Sequence, residues 1–161
     1  MNISPKMRNG ILVVFIVFIL FAVLYYVRYP LRSKVTFISD SQQGVVKIHE
    51  NSIAVEMAVT TAEKHLGLGN RDSMPLDHGM LFVFQSREQH GFVMRDMRFP
   101  LDFIWIDGIK IVDITHEVPV DTTLPLKSYQ PKFPVDKVLE VNAGTAKRLN
   151  ISIGDSIQIT Q

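Results

Sequence analysis

The residues best suited to chemistry lie close together between Arg87 and Asp107, in the stretch REQHGFVMRDMRFPLDFIWID. Asp102 begins an otherwise apolar strand there, and two arginines, Arg95 and Arg98, lie just upstream. A charge in an apolar strand is unfavourable unless it is paired or used. We therefore expect the functional site in this stretch and its surroundings, with the following candidate ligand-binding residues: Met80, Met94, Arg95, Asp96, Pro100, Asp102 and His116.

Several roles are open for Asp102. In a structural role it forms an ion pair with Arg95 or Arg98, or accepts backbone amides near the turn at Pro100. In a binding role Asp102 and Arg95 line a pocket, where the arginine holds an anionic group and the carboxylate accepts hydroxyl donors. In a catalytic role Asp102, with Asp96 or His116, acts as the general acid or base of a hydrolase.

The elements that position this stretch are mostly short strands. We expect two short helices, one from a capping box at Thr60–Glu63 to Leu66 and one ending near Arg148. Asp107-Gly108 predicts a hairpin, and Gln85–Gln89 a turn. The expected strands are 45–49, 53–59, 79–84, 92–95, 101–106, 109–118 and 137–141, followed by a final hairpin of 151–153 and 157–159. This pattern predicts an α+β fold, mainly antiparallel β, built as a small barrel or sandwich.

Within the strand from Leu101 to Ile106, alternation places Asp102 and Ile104 on one face and Phe103 and Trp105 on the other. Both faces are apolar apart from Asp102, so we expect a central strand covered on both sides. The proline-rich segment 119–134 is long and aperiodic, which is typical of a binding loop or a wrapped surface loop. We expect it to cover the pocket.

An apolar segment precedes this domain. Residues 11–27 are uninterrupted apolar or aromatic residues, enough to cross a bilayer as a helix of roughly 25 Å. No small-x-small cleavage site follows, which favours an uncleaved anchor over a signal peptide. We therefore expect a basic head at 1–10, a transmembrane helix at 11–28 in contact with the lipid bilayer, a tether at 29–44 and a soluble domain at 45–161. The expected location is the cytoplasmic membrane, with the domain outside the cytoplasm.

Charge and composition limit the partners. Residues 35–161 contain twelve basic and sixteen acidic residues without a Lys/Arg cluster, so we expect no nucleic acid partner. The five histidines lack zinc-site spacing, and there is no cysteine. His116, Glu117 and Asp121 are the one group of candidate ligands to join Asp102 around an ion, but we expect no metal and no cofactor. The expected ligand is small and anionic or hydroxylated, and nothing in the sequence indicates an oligomeric state.

An ordered set of motifs resembles one known family. These are Gly67-Leu68 with Arg71, GMLFVF at 79–84, FVMRD at 92–96, Pro100-Leu101-Asp102, VLEVNAG at 138–144 and Asn150-Ile151 with Gly154-Asp155. In this order, over roughly 53–159, they resemble domain of unknown function 192, an uncharacterised prokaryotic family. The resemblance implies a small, mostly β domain, often exported or preceded by a hydrophobic segment, and it carries no established activity.

The chain departs from the usual family motif at its centre. Val93, Arg95, Asp96, Met97 and Phe99 stand where Trp, Lys, Asn, Thr and Ile are usual, so the cation is kept and the indole is lost. Taken together, the sequence predicts a membrane-anchored, extracytoplasmic ligand-binding or accessory module. The alternatives are a hydrolase acting on a cell-envelope component through Asp102 and a structural or protein-interaction domain.

Overall fold

Seven strands and two short helices form the part of the chain that the computed structural model describes, residues 42–160. They are β1 (Gln43–Ile48), β2 (Asn51–Ala58), α1 (Thr61–Leu66), β3 (His78–Glu88), β4 (Leu101–Asp107), β5 (Lys110–Val118), β6 (Val135–Asn142), α2 (Thr145–Arg148) and β7 (Ile157–Thr160). The predicted head at 1–10, membrane helix at 11–28 and most of the tether at 29–44 lie outside the described residues. No helix within 42–160 is long and apolar enough to cross a bilayer.

The strands form one curled sheet in the order β5-β4-β6-β3-β2-β1-β7. Its two ends approach each other: the Ile111 amide donates to the Asp155 carbonyl at 3.0 Å, and the Gly154 amide donates to the Ile111 carbonyl at 2.8 Å. The result is a curled, half-barrel sheet, mostly β with two short helices, as predicted. The sheet is mixed, because β2 and β3 run parallel while the other pairs are antiparallel. The long connection through α1 between them permits this.

The local signals at α1 and at the β4–β5 turn are confirmed. The Thr60 hydroxyl accepts the Glu63 amide at 3.2 Å and the Glu63 carboxylate accepts the Thr60 amide at 2.8 Å, which is the predicted capping box. β4 and β5 pair antiparallel across the turn at Gly108, where φ is +61°.

Three local predictions were wrong. The predicted turn at Gln85–Gln89 is mostly strand, because β3 continues through a register shift until Glu88 pairs with Val135. The segment 92–95 forms only an isolated bridge, between Phe92 and Tyr129. The final hairpin is absent from the described residues, because the chain at 154–157 bonds to the start of β5 and only β7 is a strand.

The core is divided between the two faces of the sheet. On the aliphatic face, Ile104, Ile106, Leu139 and Val141 join a cluster of mainly Ile, Leu and Val side chains. On the aromatic face lies a cluster that includes Phe82, Phe92, Phe103, Trp105 and Met94. The prediction that β4 is covered on both sides is therefore confirmed, since all its residues except Asp107 are buried.

Candidate functional site

Asp102 lies on the aliphatic face and is fully buried. One carboxylate oxygen, Oδ1, accepts the amide of Glu117 at 2.8 Å, and the other, Oδ2, accepts the amide of Ala146 at 2.9 Å. Glu117 is at the end of β5, in a left-handed conformation with φ of +49°, and Ala146 is in the first turn of α2. The Asp102 carboxylate thus joins three elements by accepting backbone amides.

The predicted ion pairs of Asp102 do not form. Arg98 pairs with Asp72 at the surface, and the Arg95 guanidinium lies against His65. Of the structural alternatives for Asp102, the arrangement corresponds to acceptance of backbone amides, although the donors come from β5 and α2 and not from the turn at Pro100.

A cavity of about 280 Å³ opens on the aromatic face, between α1, β3, β6 and the segment 90–97. Its lining combines apolar and polar surface in similar measure. The apolar lining includes Leu68, Phe82, Phe84, Phe92, Met94, Met97 and Leu101, and the ionisable lining consists of Lys64, His65, His90, Arg95 and Glu140. This combination of aromatic walls and a few ionisable groups is typical of small-molecule sites.

Glu140 is the single carboxylate among the residues that line this cavity. It lies in the middle of β6, paired with Phe103 on one side and Met80 on the other, and is 5% exposed. Within the described residues its carboxyl group has no hydrogen bond and no salt bridge. Burial raises the pKa of Glu140 to about 8, an effect that the nearby positive charge of Arg71 partly opposes. The group is therefore largely protonated at neutral pH.

The charge of Arg71 is itself committed to another carboxylate. Its guanidinium binds both oxygens of Glu56, at 2.5 and 2.8 Å. This bidentate hydrogen bonding lowers the pKa of Glu56 and raises that of Arg71. Glu56 on β2 pairs with Met80 on β3, which pairs with Glu140 on β6, so the three residues form one row across the sheet. In this row Glu56 is ionised and paired with Arg71, whereas Glu140 is buried and unpaired.

His65 and Arg95 form the mouth of the cavity. The Nη1 atom of Arg95 lies 3.1 Å from Nε2 and 3.3 Å from Nδ1 of the His65 ring. These nearly equal distances mean that the guanidinium does not approach one ring nitrogen alone. Both residues are exposed, and both also line a second groove beside α1 together with Asn70 and Asp96. The Arg95 charge is therefore accessible to a ligand from either opening.

Two further cationic or titratable groups lie against the ring of Phe84. The Lys64 ammonium is 4.6 Å from the ring centroid, and the His90 imidazole stacks on the ring with centroids 3.6 Å apart. Cations are attracted to aromatic faces by the ring quadrupole. The outer wall of the cavity is thus positively charged, while its interior contains the lone Glu140 carboxyl.

The structure brings some of the predicted site residues together and separates others. Met94 and Arg95 line the cavity, and Asp96 lines the adjoining groove. Met80 is buried beside Glu140 on the aromatic face. The remaining three lie elsewhere: Asp102 on the aliphatic face, Pro100 at the surface with its carbonyl accepting the Ala143 amide, and His116 exposed on β5. Asp102 and Arg95 therefore do not share a pocket.

The long loop 119–134 does not line the cavity, contrary to the expectation of a roof. Backbone hydrogen bonds between Phe92 and Tyr129, of 2.8 and 2.9 Å, hold it against the aromatic face. The Asp113 carboxylate accepts the Lys132 amide at 3.0 Å. The Asp121 carboxylate accepts amides of Thr123 and Lys127, which lowers its pKa to about 2. The loop is a wrapped surface loop.

A metal site at Asp102, His116, Glu117 and Asp121 does not form. The Asp121 carboxylate is hydrogen-bonded within the loop, and no group of three possible metal ligands occurs in residues 42–160.

Sequence reasoning missed Glu140, His65, Lys64 and His90. Glu140 carried the same signal as Asp102, a carboxylate inside an apolar strand, in Val138-Leu139-Glu140-Val141. His65 and Lys64 read as surface residues of a short helix, and only the return of the chain at 90–97 places them beside a cavity.

Comparison with known proteins agrees with this fold. The model of the DUF192 family, described as an uncharacterized ACR, matches residues 44–159. A crystal structure from Sinorhizobium meliloti 1021, whose description proposes a transcription regulator, is 32% identical, with a TM-score of 0.64 over 72% of this chain and 91% of that one. A protein of unknown function from Novosphingobium aromaticivorans DSM 12444 is 28% identical, with a TM-score of 0.67 over 77% and 90% of the two chains. No curated protein gives a significant match. The chain belongs to the DUF192 family.

Proposed function

We propose that the chain is a membrane-anchored, extracytoplasmic module that binds a small amphipathic ligand in the cavity floored by Glu140. The observation that carries the proposal is the Glu140 carboxyl group, which lies within a buried strand, lines a cavity with aromatic walls and makes no hydrogen bond or salt bridge within the described residues. A buried polar group without a partner is destabilising, and an apolar residue at this position would avoid that cost. Groups of this kind are concentrated at functional sites.

The charged residues at the mouth of the cavity indicate which chemical group the second end of the ligand carries. Arg95 and Lys64 present cations there, and Arg95 has no carboxylate partner in the described residues. A planar guanidinium suits a carboxylate or phosphate through two hydrogen bonds. We therefore expect an apolar body in the cavity and an anionic or hydroxylated group at Arg95.

Neither a hydrolytic role nor a role on nucleic acid has comparable support. Both oxygens of Asp102 are occupied by amides on the opposite face. The regulatory role named for the Sinorhizobium relative is not extended to this chain, because residues 35–161 are net acidic without a basic cluster.

The membrane part of the proposal rests on the apolar sequence 11–27. Its test is fractionation of cells that express the full chain, followed by protease treatment of spheroplasts. We expect the protein in the membrane fraction and degradation of the domain in intact spheroplasts. Recovery in the soluble fraction would contradict anchoring, and protection from protease would contradict the orientation.

The binding part is tested by a thermal-shift screen of small metabolite-like compounds against the full chain. We expect compounds that stabilise the wild type and lose their effect on Glu140→Gln or Arg95→Gln. Arg98→Gln is the matched control, because Arg98 is exposed, pairs with Asp72 and does not line the cavity. Hits whose effect is unchanged by both cavity substitutions would place binding elsewhere.

A further inference from the structure

This inference rests on the proposed function and concerns the chemical group of the ligand that contacts Glu140. We infer that the cavity receives a primary ammonium group, held between the Glu140 carboxylate and the aromatic rings of the wall. The ligand would then be a small amine with an apolar body, whose second polar group, if present, reaches Arg95.

The aromatic lining supports an ammonium. Phe82 and Phe92 both line the cavity, with ring centroids 4.9 Å apart and planes at 83°. Ammonium groups bind favourably over such faces, especially where water is excluded. The chain itself provides an example at the outer wall, where the Lys64 ammonium lies over Phe84 at 4.6 Å.

The charges around Glu140 leave it free to take such a partner. Arg71, whose charge acts on the pKa of Glu140, already binds Glu56 through two hydrogen bonds. The other ionisable groups lining the cavity, Lys64, His65, His90 and Arg95, have no hydrogen bond or salt bridge to Glu140. A hydroxyl ligand could make one or two hydrogen bonds to this carboxyl, whereas an ammonium brings three donors and a compensating charge.

Binding of this kind exchanges a proton. Before the ligand binds, the Glu140 carboxyl is mostly protonated at pH values below its pKa of about 8. When an ammonium enters, the carboxyl becomes ionised, its proton passes to solvent, and the ammonium keeps its own. Amine affinity should therefore rise about tenfold per pH unit below pH 8 and level off above it, since a primary amine itself remains charged to about pH 10. His65 and His90 also line the cavity, so the slope must be compared in variants.

The experiment uses the full chain and three probes with the same phenyl body: 2-phenylethylamine, 2-phenylethanol and 3-phenylpropionate. Calorimetric titrations are made from pH 6 to pH 9. We expect the amine to bind at least tenfold more tightly than the alcohol at pH 8.5, with affinity that rises with pH. Glu140→Gln should remove the preference and most of the slope, whereas Glu50→Gln, at an exposed turn, should keep both.

Three results would overturn the inference: an alcohol that binds as tightly as the amine, a slope that persists in Glu140→Gln, or no binding of any probe. The first two leave a binding cavity in place, since a ligand is still bound. In the third case the compound screen decides separately whether the cavity binds another class of ligand.

Discussion

Asp102 and Glu140 lie diagonally across the ladder between β4 and β6, and their carboxyl groups lie on opposite faces of the sheet. Asp102 pairs with Val141, and Glu140 pairs with Phe103. On the aliphatic face the Asp102 carboxylate accepts two amides, whereas on the aromatic face the Glu140 carboxyl has no hydrogen bond within the described residues and lines a cavity. One carboxyl stabilises the fold, and the other is free to bind.

Asp102→Asn should destabilise the domain without affecting the cavity. The amide NH₂ of asparagine would face one of the two backbone N–H donors, leaving that donor unsatisfied, so we expect a loss of about 2–3 kcal/mol in the free energy of unfolding. Urea denaturation measures this. The control is Asp72→Asn, an exposed carboxylate paired with Arg98, for which about 0.5 kcal/mol or less is expected. Equal losses in the two variants would contradict the structural role of Asp102.

Stability should fall as pH rises from about 5 to 8. The pKa of Glu140 is about 8 in the folded protein, whereas in the unfolded chain it is near the ordinary glutamate value of 4.5. The folded state therefore binds more protons in this interval, and the free energy of unfolding decreases with pH, by on the order of 3 kcal/mol in all. Groups with lowered pKa, such as Glu56 and Asp155, act in the opposite sense at lower pH.

Urea unfolding of the wild type and Glu140→Gln at several pH values tests this dependence. The variant should lose the decline between pH 5 and 8, because it has no proton to release there. Glu50→Gln should behave like the wild type. A decline of equal size in wild type and Glu140→Gln would show that another group is responsible.

Arg71→Gln should raise the pKa of Glu140 further, because it removes the nearby positive charge that favours the ionised carboxylate. The pKa of Glu56 should rise as well, since it loses both hydrogen bonds. Carboxyl ¹³C NMR titrations measure both groups in one series. Arg98→Gln is the matched control and should leave both values unchanged. An unmoved Glu140 titration would show that Arg71 does not act on the cavity.

Val93→Trp should reduce ligand binding by filling space in the cavity. Val93 lines the cavity and is partly exposed, and Trp is the usual residue there in the motif that this chain resembles. We therefore expect little change in the melting temperature of the free protein and a smaller thermal shift with each compound that binds the wild type. Val59→Trp, at an exposed valine outside the cavity lining, should keep the full shift. Undiminished shifts in Val93→Trp would place the ligand elsewhere.

Local signals predicted much of the fold. The capping box at Thr60, the turn at Gly108 and the alternation along β4 depend on neighbouring residues, so they can be read from sequence. The family motifs likewise identified the domain. The partners of Asp102 could not be predicted in this way, because Glu117 and Ala146 are distant in sequence and are brought to it by a left-handed residue and a short helix.

The site was predicted only in part for a related physical reason. Met94 and Arg95 were predicted from their place in the stretch 87–107, but membership of one cavity depends on which face of the sheet each strand presents. Asp102 and Glu140 carried the same sequence signal, and only the register of β4 against β6, with the elements packed on each face, distinguishes a carboxyl that accepts amides from one that lines a cavity.

The most direct test of the binding site is methionine-methyl NMR of the full chain during ligand titration. Met94 and Met97 line the cavity, whereas Met57 lies in the cluster on the aliphatic face. With 2-phenylethylamine or a compound from the thermal-shift screen, we predict saturable shifts of the Met94 and Met97 signals and an unchanged Met57 signal. The shifts at Met94 and Met97 should be lost in Glu140→Gln. Saturable shifts at Met57 with none at Met94 and Met97 would contradict a ligand site at Glu140.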